Sequence, residues 1–221
     1  MNYVSFEATG NPSIPAIIHW SDAATPVWMQ QRWETGPYAF YIRRNGCGHC
    51  CAAMAAKLHH IDIDPHQEYC LCRDLWGPPK ELPDEKGQDH FQSMAGIVKI
   101  LTTLNISATC HGVKEQGSHR ALEHILHSLK EGKLVIFASD PDHFPDNPFS
   151  SGYHWVMAVG FMDDGKILIA NSSERAAPSG VQVVTPDIIE RALFSNATVG
   201  SDLTWGELER LQEGCGYIII E

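Results

Sequence analysis

Apolar and polar positions change period part-way along the chain. HFQSMAGIVKILTTL at 90–104 sets Met94, Ile97, Ile100, Leu101 and Leu104 on one helical face, and ALEHILHSLKEGK at 121–133 repeats that spacing and stops at Gly132. Beyond Lys133 the pattern turns extended. LVIFAS at 134–139, HWVMAVGF at 154–161 and KILIAN at 166–171 read as short apolar strands, the last two joined by Asp163-Asp164-Gly165 as a hairpin. CCAAMAAKLHH at 50–60 is strongly helix-forming, and the turn signal Asn45-Gly46 ahead of it predicts a helix that begins at or near Cys47. Helices at about 186–195 and 204–213 and a final strand GYIII at 216–220 complete the set. Helices precede strands, so the pattern predicts a segregated α+β class rather than alternating α/β. Two stretches lack a period: 1–46, where the first 27 residues predict an irregular arm, and 61–90, where Pro78-Pro79 and scattered Asp and Gly predict a loop insertion.

Length and composition narrow the class. At 221 residues the chain can bury a full core, and the reading is a single domain over 1–221. No run approaches the roughly eighteen apolar residues of a membrane span, and MNYVSFEATGNPSIP lacks the basic and apolar regions of a secretory signal, which predicts a cytoplasmic protein with no membrane partner. A formal charge of −11 argues against nucleic acid, whose phosphates need clustered Lys and Arg. Seven cysteines, an odd number spread from 47 to 215, do not form the even framework of a small secreted domain and favour a reducing compartment.

NGCGHCCAAMAAKLHH at 45–60 concentrates the candidate chemistry. Cys47-Gly-His-Cys50 could be a dithiol redox motif, could join Cys70 and Cys72 in a four-thiolate zinc site, or could carry one nucleophile. A cysteine in the first turn of a helix meets unpaired N–H groups and the positive end of the helix dipole, which favour thiolate. A thiol nucleophile also needs a base, and the base an orienting partner. His154 opens one strand of the predicted hairpin and Asn171 closes the other, so adjacent strands can bring them together. The redox reading gives that hairpin no role, and the C-x-C spacing of Cys70 and Cys72 is tighter than a usual zinc knuckle. Cys50 and Cys51 read as packing residues beside the nucleophile, and His59, His60 and His66 as a solvated helix end and loop. Asp140, Asp142 and Asp146 read as a polar rim of the cleft. Trp28 and Trp33 could line a groove or anchor the core. Trp155, opposite His154 by strand alternation, reads as core.

These residues resemble the papain-like cysteine peptidases, most closely the bacterial C39-like branch. RWETGPY at 32–38 followed by GCG at 46–48 is similar to that family's RW-x-x-x-PY and GCG segments, and GYHWVMAVGFMDDGKILIANS is similar to its His-to-Asn hairpin. The family usually carries Pro where His49 stands, Thr or Ser at Cys50 and Cys51, and Asp more often than Asn at the third catalytic place. The resemblance implies a papain-like α+β fold, with a nucleophile helix packed on a C-terminal antiparallel sheet. It implies a cysteine hydrolase, specifically a thiol protease with a catalytic triad. Cys47 would be the nucleophile, His154 the base, Asn171 its orienter, and Gln30, or its neighbour Gln31, the oxyanion partner. The implied substrate is a peptide or protein, and the reaction calls for no cofactor or metal. A papain-like transferase or a non-catalytic binding module would share these features.

Overall fold

The computed structural model describes residues 4–76, 93–113, 116–139, 144, 146–198 and 216–221. The segment expected to be an irregular arm is instead a meander, with β1 (Val4–Asn11), β2 (Ile14–Trp20) and β3 (Ala23–Val27) paired antiparallel in that order. Its periodicity is hidden because β1 buries only Val4 and leaves the rest of its length exposed, so no apolar alternation marks it. A 3-10 turn at Gln30–Arg32 then leads to α1 (Ala39–Asn45), α2 (Cys47–Leu58) and α3 (Pro65–Trp76).

The third of these helices corrects the expectation of a loop over 61–90, of which 77–92 lie outside the described residues. Its start is a reciprocal cap: Gln67 N–H donates to Asp64 Oδ1 at 2.8 Å and Asp64 N–H to Gln67 Oε1 at 2.9 Å, with Pro65 at the first helical position. Proline is the residue type a first turn accommodates without losing a hydrogen bond, so Pro65 starts the helix rather than breaking it.

Next come α4 (Met94–Thr103), capped by the Ser93 hydroxyl, β4 (Ala108–Gly112), α5 (Ser118–Lys130) and β5 (Leu134–Ser139). The chain continues through β6 (His154–Phe161), β7 (Ile167–Ala170), β8 (Val181–Val184), α6 (Pro186–Thr198) and β9 (Gly216–Ile220). The strands from β4 onward form a six-stranded antiparallel sheet in the order β4-β9-β5-β6-β7-β8. The expected helix at 204–213 falls outside the described residues.

Both faces of the large sheet are covered. Ile136, Trp155, Met157 and Leu168 pack against α2, α4 and the small sheet, while Phe137, Val156, Ile169 and Tyr217 pack against α5 and α6. Double coverage buries every residue of β5 and nearly all of β6, which is why they read as unbroken apolar runs. This is the α+β architecture expected of the chain, with an added helical layer on the far face. No helix among the described residues is long and apolar enough to cross a membrane.

Two close approaches fix the site end of this framework. At Gly46 a Cβ would sit 2.4 Å from the Ile42 carbonyl oxygen, so α1 can end and α2 begin across one residue only with glycine there. Gly180, at φ +68°, would place a Cβ 2.6 Å from Pro15 and 3.0 Å from Val27, and so lets the small sheet close onto the loop after β7. The Gly180 carbonyl accepts from Asn171 N–H at 3.0 Å, which ties that contact to the predicted site.

Candidate active site

Cys47 is the first residue of α2, and the turn is closed by Cys50 N–H donating to the Gly46 carbonyl at 2.8 Å. The helix buries eleven of its twelve residues, and its short alanine side chains let it lie close against β3, β6 and α3. That packing brings the Cys47 sulfur to the backbone N–H of Trp155, the residue after His154. Cys47 is 8% exposed, and burial raises its thiol pKa although the N–H groups of Trp155, Gly48 and Cys47 itself pull the other way. The expected preference for thiolate at a helix start is therefore reversed, because desolvation of the charge outweighs three donors.

His154 and Asn171 meet as the hairpin predicted. His154 Nε2 and Asn171 Oδ1 are 2.8 Å apart, and the two side chains are 2% and 0% exposed. The orientation of the amide is decided by its surroundings. Asn171 Nδ2 faces two oxygens, the Phe149 carbonyl at 3.0 Å and Gln182 Oε1 at 2.8 Å, and can only donate to both. Its Oδ1 therefore accepts, from Ser173 N–H at 2.8 Å and from His154 Nε2–H. A neutral imidazole that donates through Nε2 keeps its lone pair on Nδ1, which makes Nδ1 the basic atom.

Gln182 was not legible as a functional residue. Its Nε2 donates to the Pro148 carbonyl at 2.7 Å while its Oε1 receives Asn171, so it holds the amide that holds the imidazole. It lies on β8, a four-residue strand that no sequence signal linked to the hairpin.

Of the two glutamines, Gln30 is buried at the site and Gln31 is half-exposed. Gln30 N–H donates to the Ser172 carbonyl at 3.0 Å, and its Oε1 accepts from the Ser172 hydroxyl at 3.4 Å, one residue from Asn171. Its Nε2 makes a long 3.4 Å contact with the Arg43 carbonyl.

Other candidates separate from this cluster. Cys50 and Cys51 are fully buried, and burial holds both thiols well above their ordinary pKa, as expected of packing residues. The four-thiolate arrangement of Cys47, Cys50, Cys70 and Cys72 does not form. Cys70 instead lines a shallow cleft with Tyr38, Arg73 and Asp74, and the six described cysteines are free thiols. Trp28 and Trp155 are core residues, Trp33 is half-buried, and Asp146 is exposed, while Asp140 and Asp142 lie outside the described residues.

No protein family's sequence profile matches the chain, and no curated protein matches it. Among solved structures it is similar to one described as a candidate C39-like peptidase from Bacillus anthracis. The identity is 15%, the TM-score 0.48, and the match covers 80% of this chain and 88% of the other. A likeness that distant decides nothing about the site, whose chemistry rests on its own atoms.

Those atoms describe a resting state without charge separation. Burial holds His154 down at about 4, against the Asn171 hydrogen bond that favours the charged ring, while burial pushes Cys47 up. Through the neutral range the groups are thiol and imidazole, so a proton must move as the sulfur attacks rather than beforehand.

Proposed function

We propose that this protein is a cysteine-nucleophile hydrolase that cleaves peptide or amide bonds through an acyl-enzyme. The observation that carries the reading is His154, locked by Asn171 from just past β7, at the head of the strand whose Trp155 N–H meets the Cys47 sulfur. On this reading the Cys47 sulfur attacks the carbonyl carbon while His154 Nδ1 takes the thiol proton and passes it to the leaving amine. The thioester is then opened by water, from which His154 withdraws a proton, and the thiol is restored. Asn171 and Gln182 keep the ring in its working tautomer. The Cys47 N–H and Gln30 Nε2, which would leave the long contact to Arg43, stabilise the oxyanion, each donor contributing about 3 kcal/mol. The resemblance to C39-like peptidases implies the same roles for Cys47, His154, Asn171 and Gln30, though not for Gln182, and the substrate class is a peptide or protein.

The near-complete burial of Cys47 and His154 favours a second outcome of the same chemistry, acyl transfer to an amine, because a dry pocket starves the thioester of water. A nitrophenyl ester tests both readings. The expected result is a burst of nitrophenolate, an acyl group on the peptide carrying Cys47, and neither in Cys47→Ser. Acylation confined to other cysteines would refute the proposal, and partitioning of the acyl group between water and added amine separates hydrolase from transferase.

A further inference from the structure

Where α2 packs on α3, three side chains of different chemistry meet in the interior. His49 and Glu68 are each 1% exposed and Cys72 is 0% exposed. His49 Nδ1 contacts Glu68 Oε2 directly, and the Cys72 thiol donates to Glu68 Oε1 at 3.5 Å. The imidazole nitrogen, the carboxylate oxygen and the sulfur all lie within 4.8 Å of one another. Glu68 and Cys72 are four residues apart and share a face of α3, and His49 reaches them from the second turn-forming position after Cys47. Neither the proposed hydrolysis nor simple packing explains this set. A glutamate is almost never fully buried without a partner for its charge, and here the partners are two further metal-binding side chains.

Imidazole nitrogen, carboxylate oxygen and thiolate sulfur are the three donor types that zinc takes. A dication bound to one carboxylate, one thiolate and one neutral imidazole sums to zero charge, the state an apolar interior tolerates best. The geometry points to a zinc(II) site built by His49, Glu68 and Cys72, which clamps α2 to α3 beside the proposed nucleophile. Of the four thiols that the sequence suggested for zinc, only Cys72 takes part. On binding, the Cys72 S–H bond breaks, a sulfur–zinc bond forms and the proton leaves to solvent, with nothing oxidised or reduced. Three protein ligands leave the remaining tetrahedral position to a non-protein group. The inference stands whether or not Cys47 is catalytic.

The test uses the full chain, purified without chelator or metal-affinity tag, then incubated with excess zinc and desalted. Elemental analysis should find one zinc per chain in the wild type and in Cys47→Ser, and none in Cys72→Ser. Cobalt(II) in place of zinc should give a thiolate-to-cobalt absorption band that survives Cys47→Ser and vanishes in Cys72→Ser. A wild-type chain that retains no zinc, or a cobalt band that persists without Cys72, would overturn the assignment. If Cys72→Ser does not fold, X-ray absorption of the zinc-loaded wild type decides. One sulfur among nitrogen and oxygen neighbours supports the site, and a shell with no sulfur or with several refutes it.

Discussion

Asn171→Leu is expected to destabilise the fold by on the order of 4 kcal/mol, read as a fall in the urea midpoint at neutral pH with an unchanged slope. The side chain makes four hydrogen bonds, accepting from His154 and Ser173 and donating to Phe149 and Gln182, all buried except the half-buried one to Gln182. Leucine leaves three partners in the interior and the half-buried Gln182 without it, and each buried orphaned group costs about 1–3 kcal/mol before the neighbours relax. Asn171→Asp is the sharper comparison, because it replaces only the donating amide nitrogen with an oxygen. It keeps both acceptor contacts but turns an oxygen toward the Phe149 carbonyl and Gln182 Oε1, so about half of the leucine loss is expected to remain. An aspartate variant as stable as the wild type would show that the amide does not donate in that direction. The assignment of His154 Nδ1 as the base would then fail with it.

Acidification should cost about 3 kcal/mol through His154 alone. In the folded protein its pKa lies at about 4, because burial disfavours the imidazolium, whereas in the unfolded chain it returns to about 6.5. Between those values the unfolded chain binds the proton and the folded chain does not. The stability is therefore fully present above about pH 6.5 and is lost as pH falls toward 4. A gap of about two and a half units converts to that energy at 1.36 kcal/mol per unit. His59 and His111, also held low by burial, act in the same direction. Urea unfolding followed across this range should show a shallower pH dependence for His154→Gln than for the wild type. Parallel curves would mean that the ring is not buried in its neutral form.

What could be read from the chain depended on how each element is buried. The strands at 134–139, 154–161 and 216–220 are covered on both faces, so each is written as a continuous apolar run that a sequence scan finds. The small sheet was illegible for the opposite reason, since β1 buries Val4 and little else. The third helix carries a start signal in Asp64, Pro65 and Gln67, but its polar first turn and the prolines further on argued for a loop. Missing that helix hid the buried cluster entirely, because Glu68 and Cys72 approach His49 only once 65–76 is helical. The His154–Asn171 pair was legible because hairpin geometry brings the ends of paired strands together. The state of Cys47 was not, because helix position is local whereas desolvation comes from β6 and the core around it.

The central claim, that Cys47 is a nucleophile served by His154, is tested most directly by timing iodoacetamide labelling of each cysteine in the native protein by peptide mass spectrometry. Exposure alone predicts that half-exposed Cys70 and Cys110 react first and that Cys47, at 8%, lags. A Cys47 nucleophile served by His154 gives the reverse order near neutral pH: Cys47 ahead of the other six by about a hundredfold, a typical general-base contribution, with that lead abolished in His154→Ala. Labelling that follows exposure, or a Cys47 rate indifferent to His154, would contradict it.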